Sequence, residues 1–393
     1  MSTQTIEVTG NRINPDEVAL IVAGQEFRGW TDVRVTRGIE RMPSDFALTL
    51  TEIYPDAQQF LQIEPGQACE LWAGRDRIIT GYIDRFTPSI AAQSHTVAVS
   101  GRGMCCDLVD CMAEWQGQQI RDASVLEVAR KLAAPFGIEA NGVAGPPVGG
   151  GGPVLIPQFV LMIGETPWEI IERLCRIAGL LAFDQPDGSL LLAENPATLL
   201  AGAVATQRGF ASASSGFTEG VNVKHGAATF STDGRFSHYR AYRQSWDQWK
   251  ELGEGPNLLA EYKEEGIKRY RPRAILMELG KAMAEQNAAK RALWEAKRRW
   301  GRSQSVTITT DSWRDSAGAL YAPNTLAPLD LPSLKIVGKD WLIADVTYRL
   351  SASGTECELQ LMPTAAFDVQ PTLPPYLFDV GVSQLPAGIA RRP

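Results

Sequence analysis

The side chains best suited to metal chemistry in this chain are three cysteines that lie close together. Cys105, Cys106 and Cys111 lack the paired Cys-x-x-Cys spacing of a structural zinc site, and a fourth ligand such as His95 would have to be recruited across the fold. The six cysteines of the chain lie in apolar contexts without the spacing of a disulfide framework. We therefore expect reduced core residues and no metal site.

The histidines and paired acids are the remaining candidates for catalysis. His225 and His238 have no carboxylate or cysteine at a catalytic spacing, which favours positions on strand faces. Asp184 and Asp187 belong to the turn sequence Asp-Gln-Pro-Asp-Gly, and a hairpin explains them better than a pair of glycosidase carboxylates. The sequence predicts no catalytic residue, no cofactor and no enzyme activity.

Composition excludes several classes of protein. The chain has 393 residues, of which 44% are hydrophobic and 21% charged, and its net charge is −7. These values are typical of a folded protein, and they predict no stable nucleic-acid binding. No apolar run approaches the roughly 18 residues of a membrane span, and the N-terminal sequence lacks the pattern of a signal peptide. We expect synthesis in a cytoplasm and no membrane segment.

Hydrophobic periodicity divides the chain into β-rich and helical parts. Residues 1–112 alternate with a period of two, which is typical of strands, and a similar pattern fills 205–252 and 301–366. Helical signals dominate an α/β domain at 113–204 and an insertion at 253–300. The expected fold class is α+β and β-rich, with a C-terminal arm at 367–393.

The α/β domain contains a helical repeat. Glu127, Leu132 and Gly137 stand at the spacings of Glu169, Leu174 and Gly179, which predicts two related helix–strand units. The second helix has the clearer start, because Thr166 and Glu169 form a capping-box sequence around Pro167.

Two short segments read almost alike, GRDRIITGYIDRF at 74–86 and GKDWLIADVTYRL at 338–350. Each reads as a turn that leads into an aliphatic strand, followed by a polar turn and a further alternating strand. Chance can produce such a match, since turn-plus-strand phrases are common, but the shared downstream order favours two copies of one β unit. In the gapless match, Gly74, Asp76, Ile79 and Arg85 fall on Gly338, Asp340, Ile343 and Arg349.

Several longer motifs resemble the baseplate hub protein of Mu-like contractile-tailed phages. The similar segments cover most of the chain and are most specific near its C-terminal third. They include Phe27–Arg37, Ile79–Arg85, Asp107–Cys111, Gly164–Glu169, Gly234–Tyr239, Arg269–Pro272, Ala292–Glu295, Trp313–Ser316 and Tyr321–Thr325.

The resemblance implies a homotrimeric ring with two similar β-barrel domains per subunit, at 1–112 and at 205–252 with 301–366. Such a ring lies between the hexameric tail tube and the trimeric central spike, in contact with other baseplate proteins. The implied location is the baseplate of a virion tail. Two β units in each of three chains would present six similar surfaces to a sixfold tube.

A second interpretation concerns the segment that begins at Gly164. Gly-Glu-Thr-Pro-Trp-Glu resembles the opening of LysM peptidoglycan-binding repeats, which would make the α/β domain a cell-wall-binding module. The same residues also form a good helix start, and the sequence favours this simpler role.

A basic cluster is the candidate for a partner interface. Lysine and arginine outnumber glutamate between 263 and 302, although the whole chain is acidic. The cluster is either a surface for another baseplate protein or neighbouring subunit, or a solvated helix face. Its candidate contact residues are Arg291, Lys297, Arg298, Arg299 and Arg302.

Overall fold

The computed structural model describes residues 15–52, 63–91, 94–115, 119–142, 155–178, 180–194, 213, 215–243, 257–277 and 281–368. Strands dominate over helices, so the β-rich α+β class is confirmed. The predicted C-terminal arm lies outside the described residues from 369 onward. No helix within the described ranges is long and apolar enough to cross a membrane.

The N-terminal part of the chain forms seven strands. Alternating side chains give each strand one buried face, as in the fifth strand, where Cys69, Leu71 and Ala73 are buried between half-buried neighbours. The strands are β1 (Val18–Val22), β2 (Gln25–Phe27), β3 (Asp32–Gly38), β4 (Asp45–Glu52), β5 (Ala68–Ala73), β6 (Asp76–Ala91) and β7 (Ser94–Gly103).

The middle part combines three helices with five short strands. In chain order these are α1 (Cys106–Asp110), β8 (Gln119–Ser124), α2 (Val125–Ala133), β9 (Ala140–Gly142), β10 (Leu155–Val160), α3 (Pro167–Ala178), β11 (Leu180–Asp184) and β12 (Leu190–Glu194). A 3₁₀ turn at Ala134–Phe136 follows α2. β11 and β12 form the predicted hairpin, and β9 pairs with the other side of β12.

The helical repeat is visible in the way α2 and α3 begin. Ser124 accepts from the Glu127 amide at 3.3 Å while Glu127 accepts from the Ser124 amide at 2.7 Å. Thr166 and Glu169 make the same reciprocal pair at 3.2 and 2.9 Å. Each capping box satisfies amides that the helix itself leaves unpaired, so the two units share their start signal as well as their spacing.

The remaining part returns to β structure around one long helix. Its elements are β13 (Phe217–Thr218), β14 (His225–Phe230), β15 (His238–Arg243), β16 (Asn257–Lys263), β17 (Pro272–Met277), α4 (Lys281–Arg302), β18 (Gln304–Thr310), β19 (Leu326–Leu331), β20 (Ile336–Ser351) and β21 (Gly354–Met362). Two 3₁₀ turns cover Pro332–Leu334 and Thr364–Phe367.

The segment 253–300 is only partly helical, which corrects the prediction of a helical insertion. β16 and β17 pair with opposite sides of β15 to form a separate small sheet. α4 packs on this sheet through its small buried face of Ala288, Ala292 and Ala296. The strands were missed because their stability comes from pairing with β15, whereas α4 has a strong periodicity of its own.

One sheet of 13 strands contains the strands of both β units. The first unit runs in the order β3-β4-β7-β6-β5-β1, and the second runs β14-β18-β21-β20-β19-β13. Corresponding neighbours are antiparallel except at the last step, where β1 is antiparallel to β5 and β13 is parallel to β19. The two units therefore share one strand succession. Two closed barrels are not confirmed, because the described strands follow a continuous open path.

Bulges fix which residues of the two units correspond. β6 and β20 each contain 16 residues. Each has one extra residue opposite its preceding strand, at Ile78 in β6 and within Val337–Gly338 in β20, and another opposite its following strand, at Asp84 and Ala344. Asp76 thus corresponds to Ile336, and the gapless sequence match is displaced by four residues from the structural one.

The two glycines of the sequence match have different roles. Gly74 (φ 57°) lies in the turn between Ala73 and Asp76, whereas Gly338 (φ 59°) lies inside β20 at its bulge. Both need the left-handed backbone that glycine adopts without strain. An added Cβ on Gly74 would also come within 2.6 Å of the Pro15 carbonyl oxygen.

The two units share one hydrophobic core. Buried residues of the first unit, such as Val35 and Leu71, belong to the same cluster as Trp313, Tyr348 and Leu359 of the second. The middle part has a core of its own, centred on the facing sides of α2 and α3.

We predict that Ile343→Asp destabilises the protein by about 4 kcal/mol, because it places an unpaired carboxylate in the shared core. Ile343 is 0% exposed. The matched control is Val337→Asp on the same strand, where the side chain is 62% exposed. Urea unfolding measures both free energies, and an equal effect of the two substitutions would contradict the assignment of Ile343 to the core.

Candidate interaction surfaces

The cysteines do not assemble a metal site in the part of the chain that is described. No group of three or more His, Cys, Asp or Glu side chains there is arranged to hold a metal ion. All six cysteines are free thiols, and five are buried as expected, whereas Cys111 is exposed. Burial raises the pKa of Cys106 to about 12, and nearby Asp107 adds to the shift, so the thiol is protonated at neutral pH.

The sequence predicts strand positions for His225 and His238. His238 Nδ1 lies 2.8 Å from Ser237 Oγ, and its ring contacts Tyr270 edge-on at 5.2 Å. His225 is exposed at the start of β14. Both histidines are on strands, as predicted.

Asp184 fastens the α/β domain to the first β unit. Its carboxylate accepts from the Ser44 amide and from Ser44 Oγ, both at 2.8 Å. Burial raises the pKa of Asp184, although the hydrogen bonds from Ser44 and nearby Arg37 act in the opposite direction. Asp187 instead accepts from the Ser189 amide at 2.9 Å and stabilises the hairpin turn. Asp187 thus stabilises the hairpin turn, and Asp184 fixes the hairpin to the first β unit.

Arg314 connects the second β unit to the first. Its guanidinium pairs with Asp16 at 3.3 Å and with Asp76. It also donates to the carbonyl oxygens of Pro15 at 2.8 Å and Ala73 at 3.1 Å. The Arg314 side chain is only 12% exposed and that of Asp16 18%, so their ion pair lies where little water competes, whereas Asp76 is 50% exposed. Asp76, one of the repeat residues, therefore acts at the contact between the units.

Trp313 holds the loop that carries Arg314. Its indole Nε1 donates to the carbonyl oxygens of Arg349 at 3.1 Å and Glu356 at 2.9 Å, on β20 and β21. The ring is 0% exposed and lies 5.5 Å from the ring of Tyr348. The Trp-Arg-Asp-Ser motif is one of the segments that resemble the hub family, but the sequence predicted no role for Arg314. An arginine directly beside a buried tryptophan was the available signal.

The other repeat residues are divided between core and surface. Ile79 and Ile343 are buried at 2% and 0% exposure. Asp340 and Arg85 are exposed, and Arg349 pairs with Glu358 at 3.2 Å on the surface.

Two arginines of the basic cluster fasten α4 to neighbouring elements. Arg298 donates to the Asp368 carbonyl oxygen at 2.9 Å and lies 3.5 Å from Glu40. Arg302 pairs with the same Glu40 and donates to the Ala366 carbonyl oxygen at 3.2 Å. Burial, and secondarily the charge of Arg302, lowers the pKa of Arg298. This part of the cluster stabilises the chain itself.

The rest of the cluster is mixed in character. Arg299 pairs with Glu295 at 2.7 Å and donates to the Gly234 carbonyl oxygen at 3.0 Å. Arg291 lies 4.4 Å from the centre of the Trp294 ring, in cation–π geometry. Lys297 is exposed. The sequence predicted either a partner surface or a solvated helix face, and neither alternative included these intramolecular contacts. A role of the cluster in partner binding stays a prediction.

Several strand edges have no neighbour among the described strands, and two of them are on β6 and β14. β6 pairs with β5 only as far as Tyr82, and from Arg85 to Ala91 it pairs with β7 alone. β14 pairs with β18 on one side only. Both edges carry exposed apolar side chains, Ile90 at 73% and Phe230 at 52%. Open edges of this kind are sites where another chain can add its strand.

Three family models match separate parts of the chain. Residues 17–103 match the N-terminal domain of the Mu phage baseplate assembly protein GpP-like family. Residues 105–194 match the second domain of baseplate hub protein gp44-like, and residues 284–370 match the fourth domain of Mu phage baseplate assembly protein GpP.

Phage and bacterial tail proteins are similar to this chain over most of its length. The baseplate hub protein gp44 of Escherichia phage Mu is 27% identical over 360 residues, which cover 89% of this chain and 88% of that protein. The crystal structure of the 43 kDa tail protein of prophage MuSo2 from Shewanella oneidensis is similar with a TM-score of 0.74 and 29% identity, covering 90% of this chain and 99% of the other. A tail protein from Neisseria meningitidis MC58 shares the fold, with a TM-score of 0.66 and 22% identity over 89% and 98% of the two chains.

We predict that Arg314→Ala lowers the free energy of unfolding by about 3 kcal/mol, because it removes a largely buried guanidinium together with its ion pairs and its hydrogen bonds to backbone carbonyl oxygens. The control is Arg349→Ala, which removes an exposed ion pair and should cost less than about 1 kcal/mol. Urea unfolding compares the two variants. Equal free energies would show that Arg314 does not hold the two β units together.

Proposed function

Because the chain belongs to the baseplate hub proteins of Mu-like phages, we propose that three copies form a ring that joins the hexameric tail tube to the trimeric central spike. The hub would be a structural part of the virion baseplate, made in the bacterial cytoplasm, and would contact other baseplate proteins. The proposed units are the two β domains, the α/β domain, an insertion made of α4 and the sheet of β15, β16 and β17, and the C-terminal arm.

The observation that carries this proposal is the shared strand succession of the two β units. One chain supplies two similar units, so three chains around one axis supply six. A sixfold tube can then meet six similar surfaces, although the ring itself has threefold symmetry. Each unit would correspond to one of the two β-barrel domains, completed within the ring.

Threefold contacts would come from elements that occur once in each chain. The α/β domain and α4 have no second copy in the chain's described part. They would therefore present three equal surfaces to a trimeric spike. Among the five candidate contact residues, exposed Lys297 on α4 would be the one best placed to contact a partner.

The cell-wall-binding alternative gains no specific support from the α/β domain. Thr166 and Glu169 are engaged in the capping box, and Trp168 packs partly buried against the core of the domain. These residues act in starting and anchoring α3.

We predict that the purified full-length protein is a trimer that binds both neighbours. Sedimentation equilibrium should give three times the monomer mass, and mixing with the tail-tube and central spike proteins of the same phage should give a ternary complex by size exclusion. Omitting either partner serves as the control. A monomer that co-elutes with neither protein would refute the proposed function.

We also predict that the free ring does not retain DNA. Three chains of −7 each carry −21, and phosphates are repelled by such a surface. Fluorescence anisotropy with a labelled duplex at micromolar protein should therefore show no binding, at low or at high salt. Binding that weakens as salt increases would contradict this prediction.

A further inference from the structure

The joint between the two β units inside one chain is a backbone ladder. Residues Asp345–Leu350 of β20 pair antiparallel with Gly38–Val33 of β3. The ladder covers Tyr348 and Val35, both 0% exposed. At its centre Thr347 Oγ1 donates to Thr36 Oγ1 at 3.3 Å. The edge of the first unit is thereby closed by the long strand of the second.

The structural correspondence between the units identifies a complementary pair of edges. β6 corresponds to β20, and β14 corresponds to β3. In β6 and β14, however, the equivalent edges have no partner among the described strands. Each chain therefore contains a second pair of strand edges, on β6 and β14, that is equivalent to the pair joined by the internal β20–β3 ladder.

We infer that β6 of one subunit pairs antiparallel with β14 of the next subunit, in the register of the internal β20–β3 joint. This inference rests on the proposed ring and names the contact that closes it. The bulges of β6 and β20, and the pairings of β4 and β18, fix the register. Arg85 lies opposite Ser231, and the pairs continue to Ile90 opposite Gly226.

The side chains at the intersubunit joint fit this register. Thr87 lies opposite Thr229, which repeats the Thr347–Thr36 pair of the internal joint. Phe86 lies opposite Phe230, so two exposed or half-exposed aromatic rings cover each other. No like charges face each other in this register. Pro88 lacks an amide, so β6 donates no backbone hydrogen bond at this position, whichever neighbouring strand it faces.

The joint is head-to-tail, because the two edges come from different strands. A head-to-tail contact produces a closed ring or an open filament, and it does not produce a twofold dimer. Internal and intersubunit joints would alternate around the ring with nearly the same geometry. Six similar contacts then follow from three chains.

A designed disulfide tests the register directly. In a Cys111→Ser background, Ser89→Cys with Ala227→Cys places the two thiols on directly opposed residues, like Arg349 and Arg34 in the internal joint. Opposed residues have Cα atoms about 4.5–5.5 Å apart, which a disulfide can span. Mild oxidation should give covalent dimers and trimers on non-reducing gels, and reduction should return them to monomers.

Three controls make the result specific. Each single cysteine should stay monomeric on the gel, since a twofold contact alone would link identical positions. The pair Ser89→Cys with Thr229→Cys shifts the register by two residues and should cross-link far less, because diagonal residues are about 7–8 Å apart. Cross-linking of a single variant, or better cross-linking of the shifted pair, would overturn the inferred joint.

Assembly without covalent trapping gives a second measurement. Ile90→Asp and Phe230→Asp alter side chains that are exposed in the single chain, so the monomer should fold normally by circular dichroism. Sedimentation should show loss of the trimer, whereas Ile163→Asp, at an 88% exposed position in a loop, should leave it intact. A trimer that persists in both edge variants and forms no disulfide would refute this joint but not the proposed ring. A wild-type protein that does not form a trimer would refute both.

Discussion

The pairing of β20 with β3 is the contact on which the rest of the structure depends. It joins strands that are about 300 residues apart in the sequence into one sheet, and it allows the two β units to share a single hydrophobic core. Without this ladder, both units would expose an apolar strand edge, and Tyr348 and Val35 would lose their cover. The same ladder also places the second unit so that Arg314 reaches Asp76 and the Pro15 carbonyl oxygen. Backbone pairing and side-chain contacts thus fix one relative orientation of the two units.

Arginine is the residue that fastens separate parts of this chain to one another. Arg314 connects the two β units, and Arg298 and Arg302 connect α4 to Glu40 and to the turn that follows β21. Each guanidinium reaches carboxylate and carbonyl oxygens at once, which a lysine ammonium with its compact charge does less well. Among the five candidate contact residues the arginines therefore act largely within the fold, which leaves Lys297 as the exposed charge of that set.

Because the β unit occurs twice, the chain has two edges of the β3 type (β3 and β14) and two of the β20 type (β20 and β6). Within one chain, one edge of each type pairs with the other. The internal joint uses the edge of β3 and the long strand β20, so β14 and β6 remain as the unmatched pair. The repeat therefore leaves two edges that suit pairing between subunits, because β6 and β14 can run antiparallel to each other and both carry exposed apolar side chains. Edge strands are normally protected against uncontrolled pairing, and a closed ring provides that protection for every subunit.

The sequence by itself determined the features that depend on neighbouring residues. The alternation of the N-terminal strands, the hairpin at Asp184 and the capping box at Thr166 were all readable, because each is set by interactions within a few residues. The existence of a β repeat was readable for the same reason. Its register was decided only in the tertiary structure, since the bulges at Ile78 and Asp84 add residues whose effect depends on the strands opposite them. The contacts of Arg314 and the strands β16 and β17 were likewise decided by partners distant in sequence, whose pairing no local pattern encodes.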